Sequence, residues 1–176
     1  DKKLNPTRGM TFLLNVGAKT ELKETENTYG YVNSNLGFYN AISRNRKLVL
    51  KTDVRTQFRI GNRNNFLFYQ AANIGGVNSL RGFRRERFTG RNSFVGSADL
   101  RYGFNQFKTS TLPLQIGVFG GFDVGRVWFK GDFSEQWHND YGGGFWVTAA
   151  ETVSGTFNLF NSVEGWRFTF SLGINF

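Results

Sequence analysis

The sequence predicts an all-β fold, a transmembrane antiparallel β-barrel, on three observations. First, the last eleven residues, Trp166-Arg-Phe-Thr-Phe-Ser-Leu-Gly-Ile-Asn-Phe176, alternate strictly. Phe168, Phe170, Leu172, Ile174 and Phe176 take every second position, and Arg167, Thr169, Ser171, Gly173 and Asn175 fill the rest. A period of two is a strand with one apolar and one polar face. An aromatic carboxyl terminus fits the closing strand of an outer-membrane barrel better than the fraying tail of a soluble sandwich. Second, 20 Phe, 22 Gly and only 2 Pro in 176 residues suit long strands that bend and carry interfacial aromatics. Third, no apolar run approaches the roughly 20 residues of a membrane-spanning helix. A strand that is apolar on one face only accounts for the negative mean hydropathy.

Nine strands are expected. In the first, about 9–20, Met10, Phe12, Leu14, Val16 and Ala18 alternate against Thr11, Asn15 and Lys19. The second, about 29–42, sets Val32, Ser34, Leu36 and Phe38 on one face. The third, about 47–60, has Leu48, Leu50, Val54, Phe58 and Ile60 opposed by Lys51, Asp53, Arg55, Gln57 and Arg59. A short fourth covers about 65–72, and a Gly- and Arg-rich connection follows over 73–91. The fifth, about 92–107, opposes Phe94, Ala98, Leu100, Tyr102 and Phe104 to Ser93, Ser97, Asp99 and Arg101. The sixth, about 111–130, opposes Leu114, Ile116, Val118, Phe122 and Val124 to Gln115, Gly117, Gly121, Asp123 and Gly125. Segments 141–149, 151–160 and 166–176 complete the set. No segment holds a 3.6-residue period, so no helix is expected.

Turns at 149–151 and 108–111 are short, whereas 73–91, 130–140 and 161–165 are longer. Outer-membrane barrels have short periplasmic turns and longer extracellular loops, which puts Phe176 at the periplasmic side. Charges such as Lys51, Asp53, Arg55 and Arg59 on an inward face call for a lumen wider than that of an eight-stranded barrel. Nine is also odd where bacterial single-chain barrels are even. Both points suggest part of a larger barrel. Asp1 in place of Met marks a processed or partial product as the expectation.

The net charge of +9 is read either as solvated lumen and rim charge or as contact with lipopolysaccharide or transiting polypeptide. The basic residues spread along strands and surround no nucleic-acid-binding module, so no nucleic-acid partner is expected. There is no Cys, which removes disulfides, thiolate metal sites and Cys nucleophiles. The one His, His138, is read as part of a solvated loop with Asp132, Glu135 and Asp140. No G-x-S-x-G occurs and no Ser-His-Asp set can be assembled. No enzymatic activity, metal or cofactor is expected. Gly142-Gly-Gly144 is read as strand curvature, since no Lys-Ser/Thr follows it to make a phosphate loop.

Five segments resemble one family. Asn73-Ile-Gly-Gly-Val-Asn-Ser-Leu-Arg-Gly-Phe83 is similar to the glycine pair and (V/L)-R-G-(F/Y) motif of the BamA/TamA/FhaC superfamily, also called the bacterial surface antigen family. Phe122-Asp-Val-Gly-Arg-Val-Trp128 resembles its F-x-D-x-G-x-V-W type strand motif. Ala98-Asp-Leu-Arg-Tyr102 resembles its (E)-L-R-(Y/F) motif, with Asp99 for the usual Glu. Asn5-Pro-Thr-Arg-Gly9 resembles a P-T-x-G lead-in to a strand, and Phe168–Phe176 its closing strand. The order covers the whole chain, 1–176, and matches the carboxyl-terminal half of a sixteen-stranded barrel. The family's periplasmic POTRA domains and first strands have no counterpart in it.

The resemblance implies that the R-G-F loop, Arg81, Gly82 and Phe83, folds into the lumen, where Arg81 meets Asp123. Gly82 and Gly125 would permit close approach beside the pair, with Asp99 and Arg101 as further lumen charges. The closing-strand signal is Phe168, Phe170, Leu172, Gly173, Ile174 and Phe176. The family's function implies a factor in the outer membrane of a Gram-negative-type bacterium that assembles client β-barrels. Its partners would be membrane lipid, lipopolysaccharide, unfolded clients and accessory lipoproteins. A two-partner-type polypeptide secretion pore, an anchor for an upstream patatin-like or phosphoesterase enzyme, and a plain pore are the other readings.

Overall fold

The computed structural model describes residues 5–20, 28–61, 71–108, 113–129, 136–150 and 152–174. Among them are eleven strands and no helix: β1 Gly9–Lys19, β2 Tyr29–Ala41, β3 Leu48–Ile60, β4 Ala72–Ile74, β5 Phe88–Gly90, β6 Asn92–Gly103, β7 Phe107–Lys108, β8 Pro113–Trp128, β9 His138–Ala149, β10 Val153–Ser162 and β11 Gly165–Ile174. Every pairing is antiparallel. The main sheet runs β1-β2-β3-β6-β8-β9-β10-β11, with the short β7 paired to β8; β4 and β5 form a separate ribbon. The sheet does not close on itself among the described residues: β1 and β11 stand at its two ends.

The main sheet has nine strands, though not the same nine as expected: eight lie along its path, with β3 paired directly to β6, and the short β7 pairs with β8. Most of the expected fourth strand, 62–70, lies outside the described residues, and Ala72 opens the ribbon strand β4. The connection at 161–165 is likewise shorter than expected. β10 and β11 form a tight hairpin in which Ser162 pairs with Gly165, and Gly165 takes the left-handed φ of 99° that such a turn demands. Phe176 falls outside the described residues.

The distribution of polarity is inverted relative to a water-soluble protein. Phe168 is 65% and Leu172 66% exposed, while Asp123 and Asp140 are fully buried. Along β11 the apolar residues are exposed and Arg167, Thr169 and Ser171 are half-buried. Water would oppose so extended an apolar face; a hydrocarbon surround removes the opposition. No helix is long and apolar enough to cross a membrane, and the strands provide the apolar belt.

The polar faces stack into rows across the sheet. Gly37, Asp53, Ser97, Asp123 and Asp140 are successive register partners. The next row is Tyr39, Lys51, Asp99, Gly121, Gly142, Phe160 and Arg167. The connection from β4 to β5 packs on this side. Its apolar base, Ile74, Leu80 and Phe83, forms a buried cluster with Val95 and is flanked by Phe88 and Val127.

Candidate functional site

The loop between β4 and β5 is a folded unit, shaped first by its glycine pair. Gly75 and Gly76 have φ of 117° and 94°, values open to glycine and strained for other residues. A Cβ on Gly75 would also run into the Arg84 carbonyl. The chain then doubles back. Gly76 N–H donates to the Leu80 carbonyl at 2.9 Å, Phe83 N–H to the same carbonyl at 3.2 Å, and Glu86 N–H to the Gly75 carbonyl at 3.3 Å. Leu80 and Phe83, both fully buried, hold the loop against the sheet by apolar burial. Gly125 on β8 admits them: a Cβ there would sit 3.3 Å from the side chains of both Ile74 and Leu80.

Arg81, 8% exposed, lies between these two apolar anchors. Its Nε donates to Asp123 Oδ2 at 2.8 Å and its Nη2 to Asp123 Oδ1 at 2.7 Å, a bidentate fork. The same Nη2 donates to Asp99 Oδ1 at 2.6 Å, and the Arg81 backbone N–H donates to Asp123 Oδ2 at 3.2 Å. Arg81 thus joins the two polar rows. Its guanidinium also stacks over the Phe160 ring, 4.1 Å from the centroid. A Cβ on Gly121 would overlap Asp99 and crowd Arg81, so the bare backbone of β8 makes room for the fork. Burial alone would push the Arg81 guanidinium down; its bonds to Asp123 and the charge of Asp99 outweigh that, and the net shift is upward.

Gly82 passes between two side chains. A Cβ on it would lie 2.7 Å from Asp140 Cβ and 3.0 Å from Ser162 Cβ, and Ser162 Oγ donates to the Gly82 carbonyl at 2.9 Å. Arg87 at the loop's far end is ion-paired with Glu164 in the β10–β11 turn. The loop is therefore tied to β6, β8, β9 and β10 at once.

Arg81, Asp123 and Asp99 come together, with Gly82, Phe83 and Gly125 around them. Arg101 does not join them. It donates to Asn5 Oδ1 at 2.6 Å and lies over the Trp146 ring at 5.6 Å. Of the closing-strand residues, Phe168, Phe170, Leu172 and Ile174 are exposed on the outer face, Gly173 is half-buried, and Phe176 lies outside the described residues. Two loop assignments are corrected. His138 and Asp140 belong to β9, not to an acidic loop. His138 stacks on Phe88 at 3.6 Å between centroids, and Asp140 is buried opposite Asp123. Asp132 and Glu135 lie outside the described residues. Among the described residues no cluster of three or more His, Cys, Asp or Glu could hold a metal ion.

The sequence reading gave Phe160 and Ser162 no place in the site, put Gly121 on the polar face without a role there, and put Asp140 in a loop. A signal existed for the first. Phe119, Trp146 and Phe160 each occupy the polar phase of their strands and form a buried cluster. Glycines neighbour these misplaced aromatics: a Cβ on Gly117 would overlap the Trp146 indole, and one on Gly142 would sit 2.6 Å from Phe160 Cα. Gly142 and Gly144 are thus points where β10 approaches β9 closely.

No curated protein matches the chain. A family model, the Omp85 superfamily domain, matches residues 1–176. The match agrees with an antiparallel all-β sheet, apolar outside and carboxylate-lined inside, with an R-G-F loop packed on its polar face. The chain belongs to the Omp85 superfamily, non-enzymatic outer-membrane proteins that insert or translocate other proteins.

Proposed function

We propose that this chain is barrel wall of a BamA-like outer-membrane assembly factor, which templates the folding of client β-barrels. The observations that carry the reading are the match to the Omp85 superfamily domain and the R-G-F loop that Arg81 docks on the polar face of the sheet. In this reading β11 closes the barrel by an imperfect pairing with its first strand, and an edge left open there can template a further strand. Gly173, opposite Ser154, brings no side chain to a pairing on that edge. The seam it makes is weak enough to open. The work is physical: client strands exchange solvent-exposed backbone for hydrogen bonds at the edge and bury their apolar faces in lipid. The R-G-F loop, held by Arg81, stiffens the wall behind the edge through Gly82, Ser162 and the β10–β11 hairpin.

In this reading the membrane is the outer membrane of a Gram-negative-type bacterium. Lipopolysaccharide faces one rim, the turn at 149–151 faces the periplasm, and accessory lipoproteins bind outside the barrel. The test uses the intact protein in lipid vesicles with a urea-unfolded client barrel. Faster client folding, together with cross-linking of the client to a Cys placed at Ser171 on β11, is the expected result. Vesicles that fold the client no faster than empty ones overturn it.

A second reading, a polypeptide translocation pore of the two-partner type, is favoured by the polar trough beside the loop. Passage of a secreted polypeptide through the vesicle wall without client insertion would select it. Failure of both activities leaves the barrel as the anchor of an enzyme carried elsewhere in the protein.

A further inference from the structure

Among the described residues, two cations on the polar face of the sheet, Lys51 and Arg101, make no ion pair. Lys51 of β3 stands between Tyr39 and Asp99 in register. Asp99 is taken by Arg81 at 2.6 Å and Asp53 by Arg55 at 2.9 Å. Among the described residues no carboxylate lies within ion-pairing distance of Lys51. Arg101, two residues from Asp99 along β6, donates to Asn5 and lies over the face of Trp146, and among the described residues no carboxylate is within ion-pairing distance of it. Among the described residues these two half-buried cations share Asp53 and Asp99 with Arg55 and Arg81, which hold those carboxylates directly; the surplus positive charge attracts an anion, because withdrawal from water costs each charge solvation that an opposite charge restores.

The space in front of them has the shape of a track. Lys51, Arg101 and Tyr39 line one side of a cavity of about 370 Å³, and Ser154, Thr156 and Asn158 line the other. At one end it shares Arg55 and Asn78 with a cavity of about 750 Å³ beside the loop. At the other it shares Asn5 and Arg101 with one of about 770 Å³ near Arg8 and Arg46. A small inorganic anion calls for a closed cradle of donors. Among the described residues the trough continues into a further cavity at each end, and its charged wall carries Lys51, Arg55, Arg81 and Arg101 against Asp53 and Asp99, a surplus of cations facing neutral hydrogen-bonding groups, which suits an extended chain. Hydroxyl and amide side chains can serve its backbone while a carboxylate reaches Lys51.

We propose that this trough binds an extended acidic polypeptide segment, with Lys51 and Arg101 as its carboxylate station. The proposal rests on the functional reading in one respect, that the protein handles polypeptide. The test measures fluorescence anisotropy of labelled hexaglutamate with the full-length protein in detergent, using hexalysine and inorganic phosphate as comparisons. Saturable binding of hexaglutamate but not hexalysine is expected. Lys51→Gln weakens it about tenfold, the effect of one charge-assisted hydrogen bond, and Lys51→Arg stays within about threefold of the original. Arg101→Gln weakens it similarly and carries the test if Lys51→Gln fails to fold.

Hexaglutamate binding that is absent, or unchanged in both Gln variants, overturns the proposal. So does displacement by phosphate at the peptide's own concentration, which would make the station a small-anion site. Client folding in vesicles, run on the same preparations, separates the two ideas. Client folding without hexaglutamate binding overturns the track and leaves the assembly reading standing. Lys51-dependent binding without client folding supports the track and removes the assembly reading.

Discussion

Replacing Arg81 by Ala tests the loop's attachment most directly. The substitution removes three side-chain hydrogen bonds, two to Asp123 and one to Asp99, and the stacking on Phe160. It also strands Asp123, whose side chain is fully buried, beside the buried Asp140. Removing one partner of a buried pair costs about 3–5 kcal/mol, mostly as the uncompensated charge left behind. At about 1.4 kcal/mol per tenfold, the docked loop becomes roughly a hundred- to several-thousand-fold less favoured over the open one. Amide hydrogen exchange reads that ratio directly when opening is fast. The Arg81, Phe83 and Gly76 amides are bonded within the docked loop, so exchange over 76–83 should accelerate by about that factor. Adding Asp123→Asn removes the stranded charge and should recover at least about a tenfold share of the loss. Exchange in Arg81→Ala within about threefold of the parent, with the barrel intact by heat-modifiable gel migration, would refute the reasoning.

Three further outcomes are expected. Ser162→Ala loses one hydrogen bond to the Gly82 carbonyl, worth about 1 kcal/mol, and should speed loop exchange about fivefold; Gly82→Ala, whose Cβ would meet Asp140 at 2.7 Å, should do more. Gly117→Ala forces a methyl into the Trp146 indole, itself 3% exposed, and should destabilise the barrel by about 1–3 kcal/mol in urea unfolding. Phe122→Arg puts a charge on the outer face of β8, where Phe122 is exposed. It should cost about 2–4 kcal/mol in a bilayer if it lies near the midplane, whereas Thr156→Arg on the polar face should cost much less; equal costs would argue against a lipid-facing exterior.

The sequence by itself determined the strands and their two faces. Side chains alternate across a strand whatever it pairs with, so Phe168 to Ile174 could be sorted from Arg167 to Gly173 without a partner in view, and the exposures on β11 follow that sorting. It determined the family through five local motifs, because each lies within one short stretch of chain. Register and sheet order were not legible. They depend on which strand lies beside which, and only the tertiary structure decided that β3 meets β6 directly and that Asp140 sits opposite Asp123. His138 and Asp140 looked like loop residues because a polar stretch gives no period to read; pairing with β8 extends the strand back over them. The site itself was half legible. Arg81 and Asp123 follow from motifs, but Asp99 as the second acceptor, Phe160 beneath the guanidinium and Ser162 on the Gly82 carbonyl come from chain segments 18, 79 and 80 residues away from their partners in sequence. Contacts of that range exist only once the strands have paired and the loop has docked on their polar face, and no local pattern encodes which segments meet there.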